Sequence, residues 1–278
     1  MLKVRDVISR CDTGLIQGLN FQLIATLNTL VPNLLVSIAD LNVDVKGSAI
    51  NPFVQPAART SLNLAIRRRG KTLVVNSAYR TVAQQYLLRK QFEQGLCGIR
   101  AAAQPGFSNH ESGLALDVED PDGWEPFLER HNWIRLGRDF DPPHFDYIYY
   151  AATRSDVGTL GVRAFQRLWN RYNPRDRLSE DGDFGPQTEA RLANAPANGF
   201  SPPFNRVLRL QEPRMQGDDV ARVQQALIQS PLISTTIKVT GIFDQATERT
   251  VRQFQEATGK LAVDGVVGQT TLRALGLI

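Results

Sequence analysis

Apolar positions three apart recur in the carboxy-terminal part of the chain, each pair followed at once by glutamine: Val162, Phe165 and Gln166; Val220, Val223 and Gln224; Val251, Phe254 and Gln255. That spacing stacks each pair on one face of a helix. Each phrase then reaches a turn of the form G-x-(F/V)-(G/D)-x-x-T: Gly182, Phe184, Gly185 and Thr188; Gly241, Phe243, Asp244 and Thr247; Gly265, Val267, Gly268 and Thr271. Leu192, Val251 and Leu275 follow four residues past each threonine. The first glycine is expected at positive φ, the apolar residue in a core, and the Gly or Asp near the start of a second helix. Repetition of this kind predicts small helical modules. Residues 210–275 form one complete copy and 159–195 part of another, with a longer central loop. Between them, residues 193–207 are rich in Ala, Pro, Asn and Gly and read as a linker.

Upstream the periodicity changes. Residues 72–80, 114–120 and 145–150 read as strands, and 81–95 as a helix stopping at Gly95. Helices with a small, mostly antiparallel sheet define an α+β class. Residues 1–56 hold amphipathic patches split by Pro32 and are read as added helical packing. The expected organisation is therefore an extension over 1–56, an α+β domain over 57–153, a half-repeat and linker over 154–205, and an all-α three-helix module over 206–278.

Composition narrows the class without deciding the function. At 278 residues, 42% hydrophobic and 22% charged, the chain suits about two globular domains. Its net charge of +4 suits an anionic partner and is too small to require nucleic acid. Lys3, Arg5 and Asp6, then Asn20, Gln22 and Asn28, interrupt the apolar positions of the amino terminus, so no secretion signal is expected. No apolar run is long enough to predict a transmembrane helix. Cys11 and Cys97 lie in no CxxC pair and are read as free or buried thiols, with a single bridge as the alternative.

Candidate chemistry gathers around two of the three histidines. His110 precedes Asp117 by seven positions, with Gly113 permitting a turn between a loop and the strand that carries Asp117; Asp141 precedes His144 by three, just before another strand. Two imidazoles, one carboxylate and an open fourth position are what catalytic zinc requires. Against this stands the plainer reading of hydrogen-bonded surface histidines, since H-x6-D alone matches many unrelated chains. His131 has no ligand pattern around it and is read as structural.

Taken together, SAYRT (77–81), SNHESGLALDV (108–118), Trp133 and DPPHFDY (141–147) resemble the zinc D,D-carboxypeptidase and L-alanyl-D-glutamate endopeptidase family, which trims peptidoglycan stem peptides. The resemblance implies zinc held by His110, Asp117 and His144, a catalytic carboxylate at Asp141, and Arg80 anchoring substrate, with Ser77 and Gln85 at accessory substrate-binding positions. Carboxypeptidase members commonly have Glu three residues before the last His, with Trp between; here Asp141 is followed by Pro142 and Pro143, a form resembling the endopeptidase branch, phage endolysins included. Exo- and endo-cleavage both stay open. The second proline favours a cis bond in a type VI turn that would bring Asp141 and His144 together. The half-repeats resemble peptidoglycan-binding domains, so the expected partner is wall polymer and the expected site of action the cell wall, reached by lysis or a non-standard export route. A binding protein with a vestigial metal site and a zinc amidase are the alternatives. Nothing in the sequence indicates an oligomeric state.

Overall fold

Strand alternation gives the sheet of the amino-terminal unit one apolar and one polar face. A computed structural model describes residues 2–135, 137–200, 204 and 206–277, which divide into two compact units, Met1–Phe200 and Ser201–Ile278. In the first unit the strands are β1 (Val36–Ser37), β2 (Val43–Val45), β3 (Phe53–Val54), β4 (Leu73–Ser77), β5 (Ala115–Val118), β6 (Trp133–Ile134) and β7 (His144–Tyr147). Five of them form a sheet in the order β2-β4-β5-β7-β6, with β2 parallel to β4 and the other pairs antiparallel; β1 and β3 pair separately. The fold is α+β with a small, mostly antiparallel sheet.

Leu73, Val75, Leu116, Val118, Phe145 and Tyr147 form the apolar face, buried with Leu62, Ile66, Trp124 and Leu128. The last four come from α2 (Pro56–Arg69) and α4 (Pro121–Leu128). By the period of two, Asp117, His144 and Asp146 point to the other face. Asp117 sits directly opposite His144 in the β5–β7 register. A register shift between Val75 and Ser77 pairs Ser77 with Asp117, so this bulge turns Ser77 toward the polar face instead of the core.

Beside the sheet, α1 (Gln17–Leu30), α3 (Val82–Glu93), α5 (Val157–Tyr172) and α6 (Pro186–Asn194) share a second core of Leu19, Leu23, Val82, Leu87, Val162, Phe165 and Leu192. Thr81 caps α3 by accepting a hydrogen bond from the Gln84 amide. The helix ends at Glu93, just short of the expected Gly95.

Two expectations change here. Residues 1–56 add more than helical packing: β2 is an edge strand of the main sheet, and the Asn51 Nδ2 donates to the Tyr79 carbonyl at 3.2 Å and to Gln84 Oε1 at 2.6 Å. Strands of two or three residues are too short to leave a periodic signal. Cys11 and Cys97, read as thiols, form a disulfide. The bond joins the segment after the 3-10 turn Val4–Arg10 to the loop after α3, and the Gln91 Nε2 donates to the Ile8 carbonyl across the same contact. That proximity comes from tertiary packing between segments 86 residues apart, which spacing does not reveal.

The second unit contains α7 (Asp218–Gln229), α8 (Gln245–Thr258) and α9 (Gln269–Ala274) around Val220, Val223, Leu227, Phe243, Val251, Phe254, Val267 and Leu272. The glutamine of each repeat explains the motif. Gln224 is buried and donates to the Ile242 carbonyl and Thr247 Oγ1, while its Oε1 accepts from the Thr240 and Gly241 amides. Gln255 makes the same clamp with Val266, Thr271, Asp264 and Gly265. A buried amide satisfied on both ends is far cheaper than one left unpaired, so the glutamine fixes the turn. The first glycines stand at φ +80, +70 and +69° for Gly182, Gly241 and Gly265, as their motif requires.

Gln166 builds a third clamp on Asp183, Thr188 and Gly182, yet its helices α5 and α6 belong to the core of the first unit. The half-repeat keeps its local structure and buries its apolar face elsewhere. No helix among the described residues is long and apolar enough to cross a membrane.

Candidate metal centre

His110 reaches the polar face of the sheet from a single 3-10 turn, Asn109–Ser112. Ser108 and Glu111 cap that turn reciprocally. The buried Glu111 carboxylate accepts from the Gly106 amide at 2.8 Å and the Ser108 amide at 3.0 Å; burial pushes its pKa up to about 7 against these bonds. Gly113, at φ +69°, then bends the chain into β5, where a Cβ would meet Leu35 Cδ2 at 2.7 Å. Four residues onward β5 presents Asp117.

One ligand atom each from His110, Asp117 and His144 fall within 4.8 Å of one another. The hydrogen bonds assign the imidazole tautomers. His110 Nδ1 lies 2.8 Å from the Ala78 carbonyl and must donate to it, so Nε2 keeps its lone pair. That Nε2 is buried, has no hydrogen-bond partner and stands 3.3 Å from Asp117 Oδ1. His144 Nε2 donates to Asp146 Oδ1 at 3.0 Å, which leaves Nδ1 as the lone pair 3.0 Å from Asp117 Oδ1. Three acceptors facing one point repel one another unless a cation or proton sits between them. Two neutral imidazoles and a carboxylate, each oriented by a second hydrogen bond, fit a divalent metal such as zinc.

The electrostatics agree. Burial opposes ionisation of Asp117, yet the His110 and His144 rings and the Arg80 guanidinium beside it hold its carboxyl well below the usual carboxylate range. Burial and the Arg80 guanidinium push His110 down toward the neutral form. Burial also favours a neutral His144, but Asp117 and Asp146 outweigh it and push that ring up to about 10. Without a metal, a proton on His144 serves as the cation of the cluster.

Arg80 Nη2 lies 3.3 Å from Asp117 Oδ2, its side-chain partner among the described residues, and its amide donates to the His110 carbonyl. Asp141, half exposed, places Oδ2 3.9 Å from His144 Nδ1. Its turn closes by the His144 amide donating to the Asp141 carbonyl at 3.1 Å. Both prolyl bonds of this turn are trans, contrary to the type VI expectation; among the described residues the cis bond is Glu212–Pro213. A single i to i+3 hydrogen bond already brings Asp141 and His144 together without a cis bond. Ser77 Oγ is 3.4 Å from His110 Nδ1. Gln85 is buried; its Nε2 donates to the Ala103 carbonyl in the loop before the His110 turn, and its Oε1 has no hydrogen-bond partner among the described residues.

Two residues outside the sequence reading complete the site. Asp146 orients His144, and Asn109 Nδ2 in turn donates to both Asp146 oxygens at 2.9 and 3.0 Å, tying the His110 turn to β7. The signal was present, since His144 and Asp146 are two apart on one strand and share its face. Replacing Asp146 by Asn is expected to loosen a divalent metal held by this cluster by about 10- to 100-fold, the usual effect of losing a carboxylate behind a ligating histidine. Chelator competition measures this, and unchanged affinity would remove Asp146 from the site.

A mostly antiparallel sheet thus carries a His/Asp/His cluster that could hold a metal ion, beside an arginine and a second carboxylate, and a separate helical unit follows. Residues 51–137 match the D-alanyl-D-alanine carboxypeptidase family (VanY), and residues 216–275 match the peptidoglycan-binding domain family. The chain thus combines a carboxypeptidase-type domain with a wall-binding module, the architecture of a cell-wall peptidase. Among curated proteins, none matches the chain. The carboxypeptidase match contains Ser77, Arg80, Gln85, His110 and Asp117 but ends before Asp141 and His144. Strand pairing returns His144 to the others.

Proposed function

We propose that this chain is a zinc-dependent peptidoglycan peptidase that cleaves stem peptides, as a D-Ala-D-Ala carboxypeptidase or an L-Ala-D-Glu endopeptidase, and that acts at the cell wall with residues 206–278 as its anchor. The observation that carries this reading is the convergence of His110 Nε2, His144 Nδ1 and Asp117 on one point, with Arg80 and Asp141 beside it. His110, Asp117 and His144 would hold the metal. When bound, zinc polarises the scissile carbonyl and acidifies the attacking water. Asp141, half exposed and with Oδ2 3.9 Å from His144 Nδ1, accepts the proton of that water on Oδ2 and returns it to the leaving amine. Arg80 keeps Asp117 ionised and oriented through one nitrogen; the rest of its planar fork suits a substrate carboxylate, either a terminal D-Ala or the α-carboxyl of D-Glu. Ser77 steadies the Nδ1 side of His110.

Mass spectrometry of muropeptides after digestion tests the reading. Loss of one D-Ala identifies the carboxypeptidase, a new amino-terminal D-Glu the endopeptidase, and release of intact stem peptide from sugar would replace both with the amidase. An unchanged digest would leave a binding protein.

The second unit has its own core, so it should fold independently. Deleting residues 206–278 is expected to weaken retention on insoluble peptidoglycan several-fold while cleavage of a small soluble stem peptide continues. Pull-down and peptide assays on the same preparation check this. Equal loss in both would give the module a part in catalysis.

A further inference from the structure

On the apolar side of the sheet, away from the metal cluster, the outer surfaces of α2 and α4 border a cleft of about 580 Å³ lined by Leu64, Arg67, Arg68, Phe127, Arg130 and His131. Its charges are uncommitted. Neighbouring arginines are engaged: Arg69 stacks on Trp124 and pairs with Asp120, while Arg135 and Arg138 pair with Glu125. Arg67, Arg68 and Arg130 are exposed, and no ion pair or hydrogen bond of their side chains occurs among the described residues. The final turn of α2 favours a cation through its dipole, which accounts for one arginine there. It does not account for Arg130, which approaches the same cleft from the separate 3-10 turn Glu129–His131. His131 also lines the cleft, and its Nε2 is buried with no hydrogen-bond partner. Leu64, half exposed, and Phe127 supply an apolar strip between the charges.

We propose that this cleft docks a phosphodiester-linked anionic wall polymer, with Arg67, Arg68 and Arg130 on successive phosphates and Leu64 and Phe127 against the polyol carbons between them. The guanidinium fork matches phosphate oxygens, and three cations held on two elements match a polymer of repeating charge better than a single anion. Contact on this side leaves the face bearing Asp117 and His144 open to a stem peptide. The assignment of the polymer to the wall rests on the proposed function, whereas the phosphate chemistry rests on the cleft.

The test is fluorescence anisotropy with purified, labelled poly(glycerol phosphate) and the full chain. Saturable binding that weakens with salt is expected, and the triple variant Arg67→Gln, Arg68→Gln, Arg130→Gln should bind on the order of tenfold more weakly or worse, with an unchanged melting temperature. A charge-matched control in the same unit, Arg10→Gln, Arg100→Gln, Arg175→Gln, all exposed and outside the cleft, should bind as the parent does. Equal loss in both triples, or equal affinity of the parent for heparin, would reduce the cleft to general charge attraction and overturn the proposal. Hydrolysis of a soluble stem peptide by the parent protein is read separately: cleavage without polymer binding rejects the cleft alone, and polymer binding without cleavage rejects the peptidase reading alone.

Discussion

Replacing His110, Asp117 or His144 by alanine is expected to strip the metal and abolish hydrolysis, each change lowering zinc affinity beyond the roughly 10- to 100-fold typical of an outer-shell residue. The reason is numerical: the cluster has three protein donors, and a site with two does not hold a catalytic metal at working concentrations. The substitutions should differ in their side effects. His110→Ala leaves the Ala78 carbonyl and a buried space behind it, so it should also lower thermal stability. His144→Ala frees Asp146, which keeps Asn109 as a partner, and should cost less stability. Metal content by atomic absorption, read alongside activity, decides the matter. Full occupancy in any variant removes that residue from the ligand set.

Asp141→Asn is expected to give the opposite pairing of results, with zinc retained and turnover lowered on the order of a hundredfold or more. Asparagine keeps the size of the side chain, and the backbone bonds that shape the turn, from the Asp141 amide to Gly137 and from the His144 amide to Asp141, do not involve the carboxylate. What disappears is the proton acceptor. Asp117→Asn should instead lose zinc, because a neutral amide is a poorer ligand and no longer balances Arg80 and the two imidazoles. Exchange of these two phenotypes would exchange the roles. Full activity of Asp141→Asn on wall peptides would require another base.

Much of the site was legible because its parts are local. His110, Gly113 and Asp117 lie in one short run, and a turn followed by an extended strand carries them to the same face whatever packs behind. The repeats were legible for the same reason: Gln224, Gly241 and Thr247 lie close along the chain, and their hydrogen bonds close within one helix-turn-helix. The pattern also gave the α+β class and the three main strands. Asp141 and His144 are adjacent in the turn that presents them, although the chain closes it with trans prolines.

Tertiary structure decided what depends on distant partners. Ser77 points at His110 because a bulge against β5 shifts it by one residue, and a bulge is a property of two strands together. Gln85 shares a short stretch with Arg80, but the carbonyl its amide takes, that of Ala103, lies on a loop 18 residues further on. Cys11 and Cys97 pair because the amino-terminal 3-10 turn packs on α3, and residues 1–56 enter the sheet through a strand of three residues. The half-repeat over 159–195 shows the division within one segment. Its own sequence determined the glutamine clamp, since hydrogen bonds between near neighbours form wherever the segment sits. Which core its apolar face would enter was decided only by α1 and α3, because hydrophobic burial is non-directional and takes whichever apolar surface the rest of the chain presents.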